Sequence, residues 1–349
     1  MIAATLNPLL ASVSRSFYLS LRVLPAPVRP AMGIGYLLCR TADTVADTDA
    51  LPPNDRGSIL SQLAEAFAGF PLHPDRVEDV IQRIIDQVDA GDTAEKALLR
   101  RLGETVVAFQ ILPRTDQALV QAVLLSVIQG MRMDLDVFGL PENGVRALPD
   151  EAALEKYLGW IGGGPGRFWT GVCRTHFPKL PIADWDRWSD EGHRFGTGLQ
   201  MINILKDLPD DLKRGRCYLP QTFLAKHELT VETLASGTVA SEAFLPLYHH
   251  LIDDTLGRLR SGFSYLMQLP RRAVRLRAAA WWPLAIGLKT LVRLRSIENP
   301  LDSKTIRKIS RKDVQKTLAS SMVRLPFNRW LKAVFEEEAG LASSTSDFR

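Results

Sequence analysis

Two stretches of this chain repeat one pattern of polar residues at helical spacing. The first, Y-L-L-C-R-T-A-D-T-V-A-D, has polar side chains at offsets of 0, 4, 7 and 11 residues, namely Tyr36, Arg40, Asp43 and Asp47. The second, Q-M-I-N-I-L-K-D-L-P-D-D, has them at offsets of 0, 3, 7 and 11, namely Gln200, Asn203, Asp207 and Asp211. On an α-helix each spacing places four polar groups on one face among apolar neighbours. We therefore expect two helices, each with a polar stripe, which face one another and direct two carboxylate pairs into one cavity.

The spacing within each stripe has a chemical consequence. Asp43 and Asp47 are separated by about 6 Å along a helix axis, and carboxylates this close repel each other unless a cation lies between them. Mg²⁺ takes one or two carboxylates together with waters and phosphate oxygens. Arg40 can neutralise a phosphate oxygen, and Asn203 adds a neutral oxygen ligand beside the cation of Lys206. The pattern indicates a magnesium–diphosphate site, although a single D-x-x-x-D also occurs on many exposed helices.

Pro209 lies inside the second stripe. A proline within a helix lacks the amide donor for the carbonyl of Leu205 and also crowds that carbonyl. The sequence therefore predicts a kink or a helix end near residues 207–209, which would move Asp211 from ideal spacing. In the alternative without a site, Asp210 and Asp211 cap a break and the basic residues after them form a solvated loop.

A glycine-rich run, E-K-Y-L-G-W-I-G-G-G-P-G, occupies residues 155–166. Each glycine inside a helix costs about 1 kcal/mol relative to alanine, so such a run is either a loop or a place where something approaches the backbone closely. Two interpretations remain: a flexible hinge, or a broken helix that opens space for a long apolar ligand. Tyr157 just upstream is a candidate proton relay, or a tyrosine that is merely hydrogen-bonded.

Helical periodicity dominates the remainder, and strand-like alternation is nearly absent. The predicted helices cover 8–22, 27–48, 55–68, 75–89, 93–110, 114–138, 150–177, 185–208, 221–228, 241–268, 271–296 and 305–335. No Gly/Ser-rich linker divides the chain, so the sequence predicts one all-α domain over 1–338 and a disordered tail over 339–349. No uncharged apolar run reaches 18 residues and no signal peptide is evident, which favours a soluble or peripherally attached protein.

Charge and cysteine usage narrow the function classes. The net charge of +4 is too small to argue for nucleic acid as a partner. Basic residues cluster near the C-terminus, as a solvated face or as a contact for phosphates or an anionic membrane surface: Arg271, Arg272, Arg275, Arg277, Arg293, Arg295, Lys304, Arg307, Lys308, Arg311 and Lys312. Three cysteines without metal-like spacing predict a reducing, cytoplasmic compartment. Rossmann, P-loop and H-E-x-x-H motifs are absent.

Together these motifs resemble the squalene/phytoene synthase family over roughly residues 12–315. S-R-S-F (14–17) resembles the opening signature of that family, and residues 36–47 resemble its first aspartate motif. Y-L-G-W-I-G-G-G-P-G (157–166) resembles its Y-x-x-x-V-A-G-x-V-G segment. Residues 200–220 resemble the second aspartate motif with its G-R-x-Y-x-P ending. The resemblance implies an isoprenoid synthase helical bundle with a central apolar cavity.

The first motif reads A-D-T-x-x-D, which is similar to squalene synthases, whereas phytoene synthases usually read D-D-x-x-D. The resemblance therefore implies a squalene synthase (a farnesyl-diphosphate farnesyltransferase), working as a monomer or homodimer at or near a membrane. It would join two farnesyl diphosphates through presqualene diphosphate with Mg²⁺ and reduce the product with NADPH. Sister enzymes that form dehydrosqualene, phytoene, presqualene diphosphate or hydroxysqualene are alternatives, and a non-catalytic helical assembly factor is a remote one. Ala46, Gly162, Pro165 and Pro209 depart from the family pattern.

The resemblance also implies roles for individual residues. The catalytic residues would be Tyr36, Asp43, Asp47, Tyr157, Asp207 and Asp211. The metal ligands would be Asp43, Asp47, Asn203, Asp207 and Asp211. The substrate diphosphates would contact Arg15, Arg40, Gln200, Lys206 and Arg214. The NADPH phosphates would contact Arg15, Arg40, Lys206, Lys308 and Arg311.

Overall fold

The computed structural model describes residues 2–14, 21–88, 93–139, 144–237, 241–304 and 311–343. The described chain is almost entirely helical, which confirms the all-α prediction. It divides into two compact units. The first comprises Met1–Leu140 and Arg167–Lys179, and the second comprises Pro141–Gly166 and Leu180–Arg349. That the chain forms a single domain stays a prediction.

The first unit is a set of helices around α2, the helix with the first polar stripe. Its helices are α1 (Ile2–Ser14), α2 (Arg29–Asp47), α3 (Pro53–Ala66), α4 (Pro74–Gln87), α5 (Thr93–Arg100), α6 (Leu102–Ile111) and α7 (Arg114–Phe138). Prolines stand in the first turn of α2, α3 and α4, where a missing amide donor costs nothing. Helix α2 packs on α7 and α3, and its buried face includes Leu37, Leu38 and Val45. This packing leaves the polar stripe on another face of α2.

Helix α7 is long and apolar enough to cross a membrane by length and composition alone. Half of its most apolar window is buried inside the unit, however. Near its start the buried carboxylate of Asp116 lies 3.0 Å from His176 Nε2. A buried core helix passes the same test of length and hydropathy, so we describe α7 as the core helix of the first unit.

The second unit is built around α10, the helix with the second polar stripe. Its helices are α8 (Glu151–Leu158), α10 (Trp185–Lys213), α11 (Gln221–Ala225), α12 (Val231–Ser236), α13 (Ser241–Gln268), α14 (Val274–Arg295), α15 (Arg311–Met322) and α16 (Asn328–Ser343). A π-helical segment, Gly159–Gly163, joins α8 to α9 (Gly164–His176). Two short parallel strands, β1 (Arg146–Ala147) and β2 (Arg216–Cys217), pair with each other. Helix α10 packs on α13 and on the π-helical segment.

Several predicted boundaries are corrected by the structure. The helix predicted over 305–335 is broken at residues 323–327, before and after Pro326, because proline lacks an amide donor. The tail predicted to begin at residue 339 begins later, since α16 continues to Ser343 with Ala339 and Ala342 buried. Residues 344–349 lie outside the described residues. The strand pair was not predicted, because two residues per strand leave no alternating pattern.

Candidate active site

The first stripe keeps its predicted helical geometry. Helix α2 is continuous from Arg29 to Asp47, so all four polar residues of the stripe lie on it. The Arg40 guanidinium donates from one nitrogen to Asp43 Oδ2 and from another to Glu95 Oε1 of α5. The side chain of Arg40 is 28% exposed and that of Asp43 is 35% exposed. This end of α2 therefore carries a cation held between two carboxylates, with the exposed carboxylate of Asp47 one turn further on.

The acidic side chains alter each other's protonation. Burial raises the pKa of Asp43 to about 6, and repulsion from Asp47 and Glu95 adds to the shift while Arg40 opposes it. For Arg40, burial lowers the pKa, but the carboxylates of Asp43 and Glu95 outweigh it and the net shift is upward. A carboxylate with a raised pKa in the metal-free protein is one whose negative charge lacks sufficient compensation. A bound cation would supply that compensation.

Tyr36, a predicted catalytic residue, makes a contact that stabilises the fold. Its hydroxyl donates a hydrogen bond of 3.1 Å to the carbonyl oxygen of Val13 in α1. This bond ties α1 to the start of the stripe. The catalytic role of Tyr36 stays a prediction.

The second stripe forms a continuous line of polar contacts along α10. Asn203 donates to Gln200 Oε1 at 3.3 Å, and Lys206 Nζ donates to Asn203 Oδ1 at 3.1 Å. Lys206 Nζ also lies 3.2 Å from Asp207 Oδ2. A cation thus stands between an amide oxygen and a carboxylate, as it does in the first stripe. The expectation that the two stripes face one another stays a prediction.

The helix end predicted near Pro209 is wrong. Helix α10 continues through Pro209 to Lys213, and Asp211 therefore keeps its helical register with Asp207. The physical reason lies on α13, where the buried hydroxyl of Tyr248 donates a 3.1 Å hydrogen bond to the carbonyl oxygen of Leu205. Leu205 is the residue whose carbonyl loses its helical donor to Pro209. Tyr248 replaces that donor, so the helix does not have to end.

The glycine run is neither a flexible hinge nor a break. Gly159–Gly163 is π-helical and passes directly into α9. A Cβ on Gly162 would lie 2.4 Å from the carbonyl oxygen of Gly196, and one on Gly196 would lie 2.1 Å from that of Gly162. A Cβ on Gly166 would lie 2.1 Å from the carbonyl oxygen of Gly192. The approaching group is therefore the backbone of α10, and the glycines let two helices pack without side chains between them.

The same contact brings in a side chain that the sequence analysis missed. The imidazole of His193 covers Gly163, where a Cβ would lie 2.3 Å from the ring. His193 precedes Gln200 by seven residues and Asp207 by fourteen, so it belongs to the polar face of α10. That seven-residue spacing was the available signal.

Tyr157 lies in α8 and is buried. Its ring stacks in a tilted arrangement on Tyr218, with the centroids 4.8 Å apart. Tyr218 belongs to G-R-C-Y-L-P, directly after β2, so two motifs that are distant in sequence meet in the second unit. The proton-relay role of Tyr157 stays a prediction.

The remaining predicted residues are unequally described. Arg214 is exposed directly after α10. Arg15 and Lys308 lie outside the described residues, and of Arg311 only the backbone is described. The contact of these three with a dinucleotide stays a prediction.

The residues of both stripes suit magnesium chemistry. Among the described residues, no group of three or more His, Cys, Asp or Glu side chains could hold a metal ion by itself. Magnesium bound with a diphosphate needs only one or two carboxylates, because phosphate oxygens and waters complete its octahedron. The two carboxylates of each stripe meet that requirement, and Asn203 adds an oxygen ligand beside one pair.

Two further residues near the stripes were not predicted from the sequence, namely Glu95 and Tyr248. Glu95 belongs to an amphipathic helix on which a surface glutamate is unremarkable. Tyr248 resembles any other buried tyrosine until Leu205 is placed beside it. Neither residue could be recognised without the tertiary contacts.

Comparison with known proteins agrees with these features. A family model for squalene/phytoene synthases matches residues 10–313. The presqualene diphosphate synthase of Rhodopseudomonas palustris is 30% identical over 269 residues, which are 76% of this chain and 78% of that protein. A complex of TcSQS with a ligand has the same fold, with a TM-score of 0.72 at 18% identity and coverage of 98% of this chain and 97% of the other. The squalene synthase HpnC from Alicyclobacillus acidocaldarius has a TM-score of 0.59 at 19% identity, covering 84% of this chain and 93% of that one.

Proposed function

This chain belongs to the squalene/phytoene synthase family, and we propose that it joins two farnesyl diphosphates head to head to form presqualene diphosphate. The observation that carries the proposal is the pair of intact acidic stripes, each on an unbroken helix with a cation already placed beside a carboxylate. The similarity to presqualene diphosphate synthase favours this product. In a scaffold protein that had lost its chemistry, nothing would preserve such a costly arrangement of charges.

The chemistry follows from these side chains. Magnesium, held by Asp43 and Asp47 and by Asn203, Asp207 and Asp211, would neutralise the charge of a departing diphosphate. Arg40 and Lys206 present cations on the same helical faces and would contact the phosphate oxygens. Once a phosphate takes its place, Arg40 keeps Glu95 as its second partner. Tyr157, buried against Tyr218, would hold or accept the proton that is lost when the cyclopropane ring closes.

Reduction to squalene with NADPH is the second candidate. The A-D-T-x-x-D reading of the first motif favours it, because it is similar to squalene synthases. Of the residues proposed for the dinucleotide, Arg40 and Lys206 are already engaged with carboxylates. The described residues therefore support the first condensation more directly than the reduction.

The product distinguishes these candidates. Purified protein is incubated with farnesyl diphosphate and Mg²⁺, with and without NADPH, and the extracts are separated by mass. Presqualene diphosphate in both reactions supports the proposal, whereas squalene that forms only with NADPH supports the second candidate. No product from farnesyl diphosphate, together with phytoene from the C20 diphosphate, refutes both.

The site assignment has its own test. Asp43→Ala and Asp207→Ala should each abolish turnover while circular dichroism stays that of the wild type. Asp190→Ala is the matched control, since Asp190 is an exposed aspartate on α10 away from the stripe. Full activity in Asp43→Ala or Asp207→Ala, or equal loss in the control, would remove the assignment.

A further inference from the structure

Two segments of the second unit carry basic residues and no acidic ones. Residues 269–278 read L-P-R-R-A-V-R-L-R-A, and residues 322–332 read M-V-R-L-P-F-N-R-W-L-K. The first segment joins α13 to α14, and the second joins α15 to α16. The sequence alone left open whether this positive charge is merely solvated or meets an anionic partner.

One buried arginine holds these two segments together. Arg277 is fully buried, and its Nη1 donates to the carbonyl oxygen of Leu269 at 2.6 Å. Its Nε donates to the carbonyl oxygen of Leu325 at 2.8 Å, and Nη2 donates to Asn328 Oδ1 at 2.7 Å. A single guanidinium therefore spans both loops, which must lie side by side. The basic cluster predicted from the sequence is thus divided, with Arg277 acting as an internal clamp beneath an exposed surface.

The surface above this clamp exposes apolar side chains. Val323 is 80% exposed and Phe327 is 61% exposed, at the two ends of a turn whose middle residue, Leu325, is fully buried. Four arginines around them are exposed, namely Arg271, Arg272, Arg275 and Arg324. A soluble surface does not need to hold large apolar side chains outward on a turn that is fixed from below.

The acidic group next to these loops is already engaged. Glu191 of α10 accepts hydrogen bonds from Ser264 at 2.9 Å and from Gln268 at 2.6 Å. Its side chain is only 14% exposed and also lies near Arg187. It therefore leaves the positive potential of the neighbouring arginines largely uncompensated.

We propose that this face, formed by Val323, Phe327 and the four exposed arginines, docks the protein on an anionic lipid bilayer. The apolar pair would enter the boundary between headgroups and acyl chains, and the arginines would contact the lipid phosphates. Charge complementarity identifies the occupant, because the face joins exposed apolar side chains to a purely basic rim. The proposal is independent of which product the enzyme releases.

Sedimentation with vesicles tests the proposal. The full chain is mixed with vesicles of phosphatidylcholine alone or with added phosphatidylglycerol, at low and high salt. Wild type should bind the anionic vesicles at low salt and be released by salt. Replacing Arg271 and Arg272 together by glutamine should weaken binding about fivefold for each arginine. Val323→Asp should weaken it by about tenfold.

A matched control separates this face from general stickiness. Ile111 is 63% exposed on α6 of the other unit, and Ile111→Asp should bind vesicles as the wild type does. Circular dichroism should show that every variant is folded. Equal loss of binding in Ile111→Asp and Val323→Asp would overturn the proposal, and so would wild type that ignores anionic vesicles at low salt. A dimer that Val323→Asp dissociates, without vesicle binding, would instead identify the occupant as a second copy of the chain.

Discussion

The hydroxyl of Tyr248 should be worth more to this protein than an ordinary buried hydroxyl, because it replaces a missing backbone donor. The phenol is fully buried and donates to Leu205 at 3.1 Å, four residues before Pro209. Tyr248→Phe removes the donor but keeps the ring. The carbonyl of Leu205 would then be buried without a partner, which costs about 1–3 kcal/mol. We expect the free energy of unfolding to fall by that amount.

A second background tests the reason for this loss. In Pro209→Ala the amide of residue 209 can donate to Leu205 within the helix, so the tyrosine hydroxyl is no longer the sole donor. Tyr248→Phe should then cost only about 0.5 kcal/mol. The double-mutant cycle therefore has an expected coupling energy of about 1–2 kcal/mol. Any separate effect of Pro209→Ala on helix stability cancels in the cycle.

The assay is urea unfolding followed by circular dichroism, with all four proteins analysed at one shared slope. Because Asp207 and Asp211 lie on either side of Pro209, Tyr248→Phe should also weaken magnesium-dependent turnover, and the double variant should regain part of it. A coupling energy near zero would refute the reasoning. It would show that Tyr248 stabilises the second unit by its ring alone.

Three further outcomes follow from the structure. A Cβ on Gly162 would meet the carbonyl oxygen of Gly196 at 2.4 Å, so Gly162→Ala should lower the free energy of unfolding by about 1–3 kcal/mol. Gly257→Ala, which has open space around it in α13, should raise it by up to about 1 kcal/mol, and similar thermal shifts in both variants would contradict the close packing. The pKa of Asp43, about 6 in the folded protein against an ordinary 3.8, means that its ionisation destabilises the metal-free fold as the pH rises between those values. Since the side chain is 35% exposed, screening by solvent reduces the effect to about 1 kcal/mol; Asp43→Asn should therefore raise the melting temperature near neutral pH but not at about pH 4, and an equal gain at both would be inconsistent with a raised pKa. Mg²⁺ with inorganic pyrophosphate should raise the melting temperature of wild type, by an amount equivalent to about 2.7 kcal/mol at a hundredfold excess over Kd, and a shift of the same size in Asp207→Asn would argue against that ligand.

The helices with the acidic stripes could be predicted from the sequence because their signal is local. The offsets of 4, 7 and 11 residues need only a helix to become a face, and α2 and α10 provide it. The all-α class followed from the same periodicity. These predictions required no knowledge of which helices pack together.

The failed predictions all depended on a partner from elsewhere in the chain. Pro209 predicted a helix end because the donor that prevents it comes from Tyr248, far along the sequence. The glycine run predicted a hinge or a break because Gly196, which it contacts, carries no sign of pairing with Gly162. Propensity describes a segment alone, and tertiary contacts override it wherever they supply a missing group.

Helix α10 is held at three levels along its length, and this explains how it can present an acidic stripe. Near its start, Trp188 stacks on Tyr265 and donates from its indole to the carbonyl oxygen of that residue. In the middle, Gly196 is in backbone contact with the π-helical segment, and near the end Tyr248 holds Leu205. Neighbouring carboxylates repel each other and would turn apart on a helix that was free to rotate or fray. Because all three contacts lie off the polar face, they oppose that motion without occupying the positions that a metal and a diphosphate need.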